Sequence, residues 1–500
     1  MTEFELKFEI PPRALAQVAA AMRLGKVSRQ RLRACYFDTE EGALGKQGLV
    51  VRVRKEGRRW VQTAKGPTSG PLERLEHNVT ITGAPAQGTM PAVDLARHAG
   101  TPVGRAIRRA LSLKNGDSFA GLVPLYETDI QRVRQSVTVD GSVVELALDR
   151  GHVVSGARSL AVCELEVELK QGKPEHAVGL ARHWCAEHGL WLSTITKSMK
   201  GHNLRQGQPF GPAVSGHAPQ FERDATGSQI GIAVLRSCIN QILPNASEIA
   251  GGSGDHEHIH QLRVGIRRLR TALRELRHLA AGFDAGWEAP LVAAFRALGR
   301  HRDASHLARI LQPQLQEAGG PVVDTCRVDA DIPDPGVVVR LPAFQDVLLC
   351  LVGLAHGAAS HAVPSPGNVT PKQAQKVLHA RLKKLHARVL QDAKKFLLLD
   401  DALRHRARKR LKRLRYLADF SAPLYSTRKT KAFTSALKPA QDALGQYNDE
   451  CVALQTYRRL AEQDPRAWFG VGWLSARQPA NATLCQTELL AFANARAFWK

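Results

Sequence analysis

Over roughly the first 200 residues, apolar and polar positions alternate in short runs broken by turn signals such as Asp140-Gly141. A period of two is what half-buried β-strands require. From about residue 226 onward the apolar period lengthens to near 3.6 and predicts helices. Between the two regions, Gly201 to Gly227 is rich in Gly, Pro, Gln and Ser and reads as a linker, placed at 204–225. A second break near His356 to Asn368 divides the helical part, 226–490, into halves of about 226–356 and 369–490.

The strand region puts its charges on one face. Residues two apart in a strand point the same way, so Glu3, Glu5 and Lys7 share a side, as do Arg52 with Arg54, Arg132 with Arg134, and Glu164 with Glu166 and Glu168. If Asp140-Gly141 is a two-residue hairpin turn, facing residues have numbers that sum to 281. Arg132 then meets Asp149 and Ser136 meets Glu145. Several strands with both signs of charge on a common face predict a barrel with a charged lumen, suited to a string of phosphates held by Lys/Arg and a divalent metal.

The helical region repeats itself. His260-x-x-Arg263-x-x-x-Arg267-Arg268-Leu269-Arg270 returns as His405-x-x-Arg408-x-x-x-Lys412-Arg413-Leu414-Arg415, and Leu298-Gly299-x-x-x-Asp303 returns as Leu444-Gly445-x-x-x-Asp449. Two motifs recurring in order at matched spacing predict a duplicated helical bundle. On a helix, offsets of 0, 3, 7, 10 and 14 form one stripe, which here carries His260, Arg263, Arg267, Arg270 and Arg274, with Leu262, Ile266, Leu269 and Leu273 on the apolar stripe. His405, Arg408, Lys412 and Arg415 form the equivalent rail in the second copy. Guanidinium forks match phosphate oxygens, and an imidazole adds a donor whose charge follows pH.

Composition narrows the partners. A formal charge of +24 draws polyanions, whereas an aromatic content of 6% favours phosphate contacts over base stacking and argues against nucleic acid. From Lys372 to Arg415 the chain has sixteen Lys/Arg against three Asp, which makes Lys376, Lys383, Lys384 and Arg388 further candidates for the anion site. The eight cysteines are scattered singly, without C-x-x-C or framework spacing, as expected in a reducing compartment. A charged start, Met-Thr-Glu-Phe-Glu-Leu-Lys, and no long apolar run lead to the expectation of a cytoplasmic protein with no membrane partner. Nucleotide-binding glycine loops are absent.

Glu3-x-Glu5-x-Lys7 at the N-terminus, followed by Tyr36-Phe37-Asp38-Thr39, Arg52-x-Arg54, Lys65, Arg74, Glu76, Glu145, Asp149, the Glu164/Glu166/Glu168 strand and Lys197, resembles the CYTH, or triphosphate tunnel metalloenzyme, superfamily over residues 1–203. That resemblance implies an eight-stranded antiparallel β-tunnel that hydrolyses triphosphates with Mg²⁺ or Mn²⁺. It implies Glu3, Glu5, Asp149, Glu166 and Glu168 as metal ligands, with Glu164 able to replace one of them. Lys7, Arg52, Arg54, Lys65, Arg74, Arg132, Arg134 and Lys197 would line the phosphate path, and Tyr36 with Lys7 would position or activate water.

The His-Arg repeats resemble the CHAD domain, which implies duplicated four-helix bundles and a basic cavity for polyphosphate. His256-Glu257-x-x-His260 also spells the zinc-hydrolase pattern, but no third ligand is apparent and His260 is accounted for by the repeat. The chain thus reads as a two-part α+β protein: an N-terminal β-tunnel cleaving inorganic triphosphate, and a C-terminal all-α part binding polyphosphate or polyphosphate granules. The alternative is a non-catalytic polyphosphate-binding or granule-targeting protein.

Overall fold

The computed structural model describes residues 2–68, 70, 72–82, 90–114, 121–280, 282–324, 332–356 and 369–499, with the backbone alone at 2, 3 and 73. The break expected at 356–368 falls, beyond His356, outside the described residues. The chain divides into two compact units that do not follow chain order. One comprises Met1–Val214, Leu243–Ser253 and Val339–Ala359; the other comprises Ser215–Ile242, Gly254–Val338 and Ser360–Lys500.

The first unit is built on strands β1 (Thr2–Glu9), β2 (Val27–Asp38), β3 (Val50–Glu56), β4 (Arg59–Pro67), β5 (Glu73–Ile81), β6 (Val123–Val139), β7 (Ser142–Ser155), β8 (Arg158–Gln171) and the two-residue β9 (Trp191–Leu192). Their order is β5-β4-β3-β2-β6-β7-β8-β1-β9, and β1 also pairs with β5. Eight antiparallel strands therefore close a ring, with β9 added beside the end of β1. The hairpin register is the expected one, with Arg132 opposite Asp149 and Ser136 opposite Glu145. Asp140 and Gly141 both have positive φ, 46° and 78°, the turn geometry that matches the twist of paired strands.

Alternation along these strands turns the barrel inside out compared with an ordinary core. On β1, Leu6 and Phe8 are fully buried on the outer face while Glu5 and Lys7 line the interior. Leu146 and Leu148 on β7, and Leu165 and Val167 on β8, repeat the pattern. An outward apolar face needs a cover, and helices supply it. Of α1 (Leu15–Ala21), α2 (Pro102–Ala110), α3 (Pro174–His188) and α4 (Lys197–Gln206), α2 packs on β4 and β5, and α3 packs on β1 and β8. Each large side chain so buried contributes about 1.5–3 kcal/mol.

The remaining helices are α5 (Gly227–Ala250), α6 (His256–Glu275), α7 (Glu288–His306), α8 (Gln312–Glu317), α9 (Pro335–Arg340), α10 (Pro342–Ala355), α11 (Pro371–Lys394), α12 (Asp401–Ser421), α13 (Thr427–Ala461) and α14 (Trp468–Ala493). In the second unit α11 to α14 pack in succession and α11 closes onto α14, a four-helix bundle. There α6 packs on α7 and on α12. In contrast, α10 lies against α3 and β9 in the first unit, where Gln345 Oε1 accepts from Leu192 N at 2.8 Å and Asp346 pairs with Arg182 at 2.6 Å.

The segment read as a linker has no regular structure after Gln206, yet it is held in place. In the first unit Gly211 N donates to Glu248 at 3.1 Å and Val214 exchanges two hydrogen bonds with Asn245. In the second, His217 O accepts from Ser237 and Arg268. Polar side chains of α5 and α6 satisfy backbone groups that a tether would leave to water.

Candidate functional site

The ring encloses a cavity of about 320 Å³, at the lower end of the roughly 300–1,000 Å³ typical of small-molecule sites. Its wall is uneven in charge, with most acids on one side and most bases on the other, although Lys7, Lys170 and Lys197 stand among the acids and Glu76 among the bases. Glu5 on β1, Glu145 and Asp149 on β7, and Glu164, Glu166 and Glu168 on β8 come from three adjacent strands. Arg74 on β5, Lys65 on β4, Arg52 and Arg54 on β3, and Arg132 and Arg134 on β6 supply the cations of the remaining wall. The register explains the clustering: Glu5 pairs with Glu168, Lys7 with Glu166, Glu145 with Glu168, and Asp149 with Glu164. Glu3 stands opposite Arg74, and its side chain lies outside what is described.

Asp149, Glu164 and Glu166 each offer an oxygen within 4.8 Å of the others, spacing suited to one cation. A cation of the protein's own sits there. Lys197 Nζ, from the first residue of α4, is 2.7 Å from both Asp149 and Glu166 and also contacts Glu164. Burial opposes its charge, but Glu164, Glu166 and Asp149 outweigh burial and hold its pKa well above the usual lysine value. Three carboxylates around an ammonium are a donor set that fits a hard divalent cation. Arg132 steadies them, donating twice to Asp149 at 2.6 Å and once to Glu166. Burial works against the Glu164 anion too, yet Lys197, Lys7 and Lys200 bring its pKa down to about 2. Glu5 is different: burial, then Glu166, raise its carboxyl to about 7.

Lys7 Nζ is buried without a hydrogen-bond partner among the described residues, its ion-pair partner being Glu164 at 3.9 Å. Burial lowers its pKa. Tyr36 stacks on Tyr126 with ring centroids 4.7 Å apart and accepts from Arg52 at 3.3 Å. Burial resists ionisation of this phenol, but Arg52, Lys197 and Arg54 together bring its pKa below the ordinary value. Lys65 pairs with Glu76 at 2.5 Å, and Arg54 with Glu56 at 2.7 Å. Arg134 bonds Gln30 at 3.0 Å. Asp38, within the Tyr-Phe-Asp-Thr run, is structural: it accepts from the backbone amides of Thr39, Leu44 and Gly45 and fixes the loop after β2.

Two lumen-side lysines were not singled out by the sequence. Lys170 pairs with Glu168 at 2.5 Å, and Lys200 pairs with Glu9 at 2.6 Å and Glu164 at 3.4 Å. Lys200 follows Lys197 by three residues, one helical turn, and that spacing was the available signal. Lys197, expected on the phosphate path, lies instead among the carboxylates.

In the second unit the two rails meet. Arg263 and Arg267 on α6 and Arg408 and Lys412 on α12 perturb one another's charge, with Arg302 on α7 beside them. Burial, then neighbouring cations, bring Arg408 to about 10 and Lys412 to about 7. Arg263 is also brought to about 10, by burial first. Its guanidinium donates to Phe295 O and lies 4.2 Å from the Phe295 ring centroid, with that of Arg267 at 5.3 Å. Arg302, unremarked in the sequence, binds Asp449 through two hydrogen bonds of 2.8 and 2.6 Å.

Other expected members lie apart or are engaged. Arg270 is tied to Glu288 and Arg415 to Asp419. Lys376, Lys383, Lys384 and Arg388 are exposed on α11. His405 bonds Asn448 at 2.9 Å, and partial desolvation lowers the pKa of both His260 and His405. His256, of the zinc-like pattern, contacts Asp255 and Arg309 at 3.0 Å.

Residues 1–201 match the CYTH domain and residues 233–458 the CHAD domain. An inorganic triphosphatase of Haemophilus influenzae is 25% identical over 210 residues, covering 41% of this chain and 55% of that protein, so the chain spans about half of that relative's length. The crystal structure of the CHAD domain from Ricinus communis aligns with TM-score 0.45 and 27% identity over 56% of this chain and 97% of that one. A putative adenylyl cyclase from Hippeastrum, described as having a dominant triphosphatase activity, aligns with TM-score 0.28 and 18% identity over 41% and 96%.

Proposed function

We propose that this chain, a CYTH domain followed by a CHAD domain, hydrolyses inorganic triphosphate in its β-tunnel and binds polyphosphate through its helical part. The observation that carries the reading is the uneven lumen: carboxylates concentrated on three adjacent strands, opposite arginines and lysines concentrated on the others. A pocket for a neutral ligand has no use for such opposed walls, whereas a metal-bound phosphate chain needs both. The similarity to an inorganic triphosphatase supports the same substrate.

Asp149, Glu164 and Glu166 would hold Mg²⁺ or Mn²⁺, with Glu5 as a further ligand, Glu168 being occupied by Lys170. The cation would neutralise phosphate oxygens at the point of cleavage. Arg52, Arg54, Lys65 and Arg74 face the chain of phosphates and fix it in line. Lys7, whose amine makes no hydrogen bond among the described residues and whose pKa is lowered by burial, takes the proton of the attacking water. The water oxygen bonds to the terminal phosphorus, the bridging P–O bond breaks, and pyrophosphate leaves with orthophosphate.

The helical cluster of Arg263, Arg267, Arg408 and Lys412 would bind long phosphate chains and bring the protein to polyphosphate granules in the cytoplasm. Among the described residues no helix is long and apolar enough to cross a membrane. The competing reading, a binder without turnover, draws on one observation, the ammonium of Lys197 within the carboxylates. Phosphate release from triphosphate, long polyphosphate and ATP, each with Mg²⁺, Mn²⁺ or chelator, separates the two. Metal-dependent release from triphosphate is expected, and Glu5→Gln should lower it at least about a hundredfold, a few kcal/mol of transition-state stabilisation. Undiminished turnover in that variant would remove Glu5 from the site.

A further inference from the structure

Lys197 stands apart from most of the lumen's cations because it enters from a helix. It is the first residue of α4, capped by the Thr196 hydroxyl, and its side chain reaches across to β7 and β8. Its ammonium rests on the same three carboxylates whose oxygens are grouped closely enough to share one ion. We propose that Lys197 is an internal counter-ion of the metal-free tunnel, which holds the carboxylates together and has to swing away before a divalent cation can take its place. The inference rests on the reading that Asp149, Glu164 and Glu166 are metal ligands.

Charge and space both require the exchange. Asp149, Glu164 and Glu166 carry three negative charges, and Lys197 and Arg132 are the cations hydrogen-bonded across all three. An ammonium at hydrogen-bonding distance and a metal at roughly 2.0–2.1 Å from the same oxygens cannot coexist. Without Lys197, three carboxylates would face one another with, among the described residues, Arg132 and the more distant Lys200 and Lys7 paired to them. Retaining the lysine stabilises the empty tunnel and weakens its hold on metal.

The motion is a side-chain swing, because the far end of α4 is fixed. Arg158 donates to the carbonyls of Leu204 and Arg205 at 3.1 and 2.9 Å, and Lys200 is bound to Glu9. Once freed, the ammonium needs a new anion, and a phosphate oxygen in the lumen supplies it. Triphosphate should therefore tighten metal binding, and metal should tighten triphosphate binding by the same factor.

The test is calorimetric titration of Mn²⁺ into the full chain, with and without triphosphate, for the wild type, Lys197→Met and Lys197→Arg. Lys197→Met should bind Mn²⁺ at least about tenfold more tightly than the wild type when triphosphate is absent, and should lose most of the enhancement that triphosphate gives. Lys197→Arg, which keeps the charge, should remain weak. In chelator Lys197→Met should melt below the wild type and recover on addition of Mn²⁺; a variant that folds only with metal gives the same expected answer. Equal or weaker Mn²⁺ binding by Lys197→Met, or failure to recover with metal, overturns the proposal. If neither protein binds Mn²⁺ even with triphosphate present, the metal-site reading itself has failed.

Discussion

Lys412 shows how far a residue's neighbours can change its chemistry. The sequence placed pH sensitivity on His260 and His405, but partial desolvation lowers the pKa of both imidazoles and so disfavours their charged form. Lys412 is the group brought to about 7, by burial and then by Arg267 and Arg408. Its folded pKa lies below the ordinary lysine value, so between about 7 and that value the unfolded chain binds the proton and the folded chain does not. Stability from this group therefore rises as pH rises through that window and falls as pH drops toward 7. Anion binding has the opposite dependence, because it needs the ammonium. Polyphosphate affinity should weaken as pH rises from about 6 to 8, with proton uptake on binding at pH 8, and Lys412→Arg should flatten the profile. A profile unchanged by that substitution would take Lys412 out of the anion site.

At the scale of elements, the duplicated helices are not equivalent. Both copies carry Leu-Gly-x-x-x-Asp, but the glycines do different things. A Cβ on Gly299 would lie 2.5 Å from the Arg263 guanidinium, whereas one on Gly445 would meet nothing within 4 Å. Gly299 makes room for Arg263 to reach Phe295 O across the face of α7. Gly445→Ala should stabilise the protein by about 0.5–1 kcal/mol through helix propensity and leave polyphosphate binding unchanged. Gly299→Ala should displace Arg263 and reduce both the affinity and its salt dependence. Melting curves and titrations at several salt concentrations read both effects. Equal behaviour of the two variants would show that Arg263 does not depend on that gap.

For the whole molecule, the two units are not consecutive pieces of chain. The barrel's unit includes Leu243–Ser253 and α10, which packs against α3 and anchors β9 through Gln345. Thr194, at the lumen, is held by Ser247 at 2.9 Å. A fragment ending at Val214 lacks all of these. It should melt more than about 5 °C below the barrel in the whole chain, since each kcal/mol lost is worth about 2–4 °C at this size. It should also bind a hydrophobic dye through the uncovered face of α3. A fragment as stable as the whole chain would show that α10 only rests on the barrel.

What the chain's sequence determined by itself was local and periodic. Alternation in β1, β7 and β8 put Glu5, Lys7, Asp149, Glu164 and Glu166 on one face, and the Asp140-Gly141 turn fixed which residues oppose them. A strand has only two sides and a tight hairpin only one register, so pattern alone settles both. The His-Arg rails were legible for the same reason, because a helical stripe follows from spacing. Only the tertiary structure decided that Lys197 lies among carboxylates, that Arg302 crosses to Asp449, that Arg270 and Arg415 are already paired, and that α10 belongs with the barrel. Each of these depends on where elements distant in sequence come together, and spacing along one element carries no information about its neighbour across the fold.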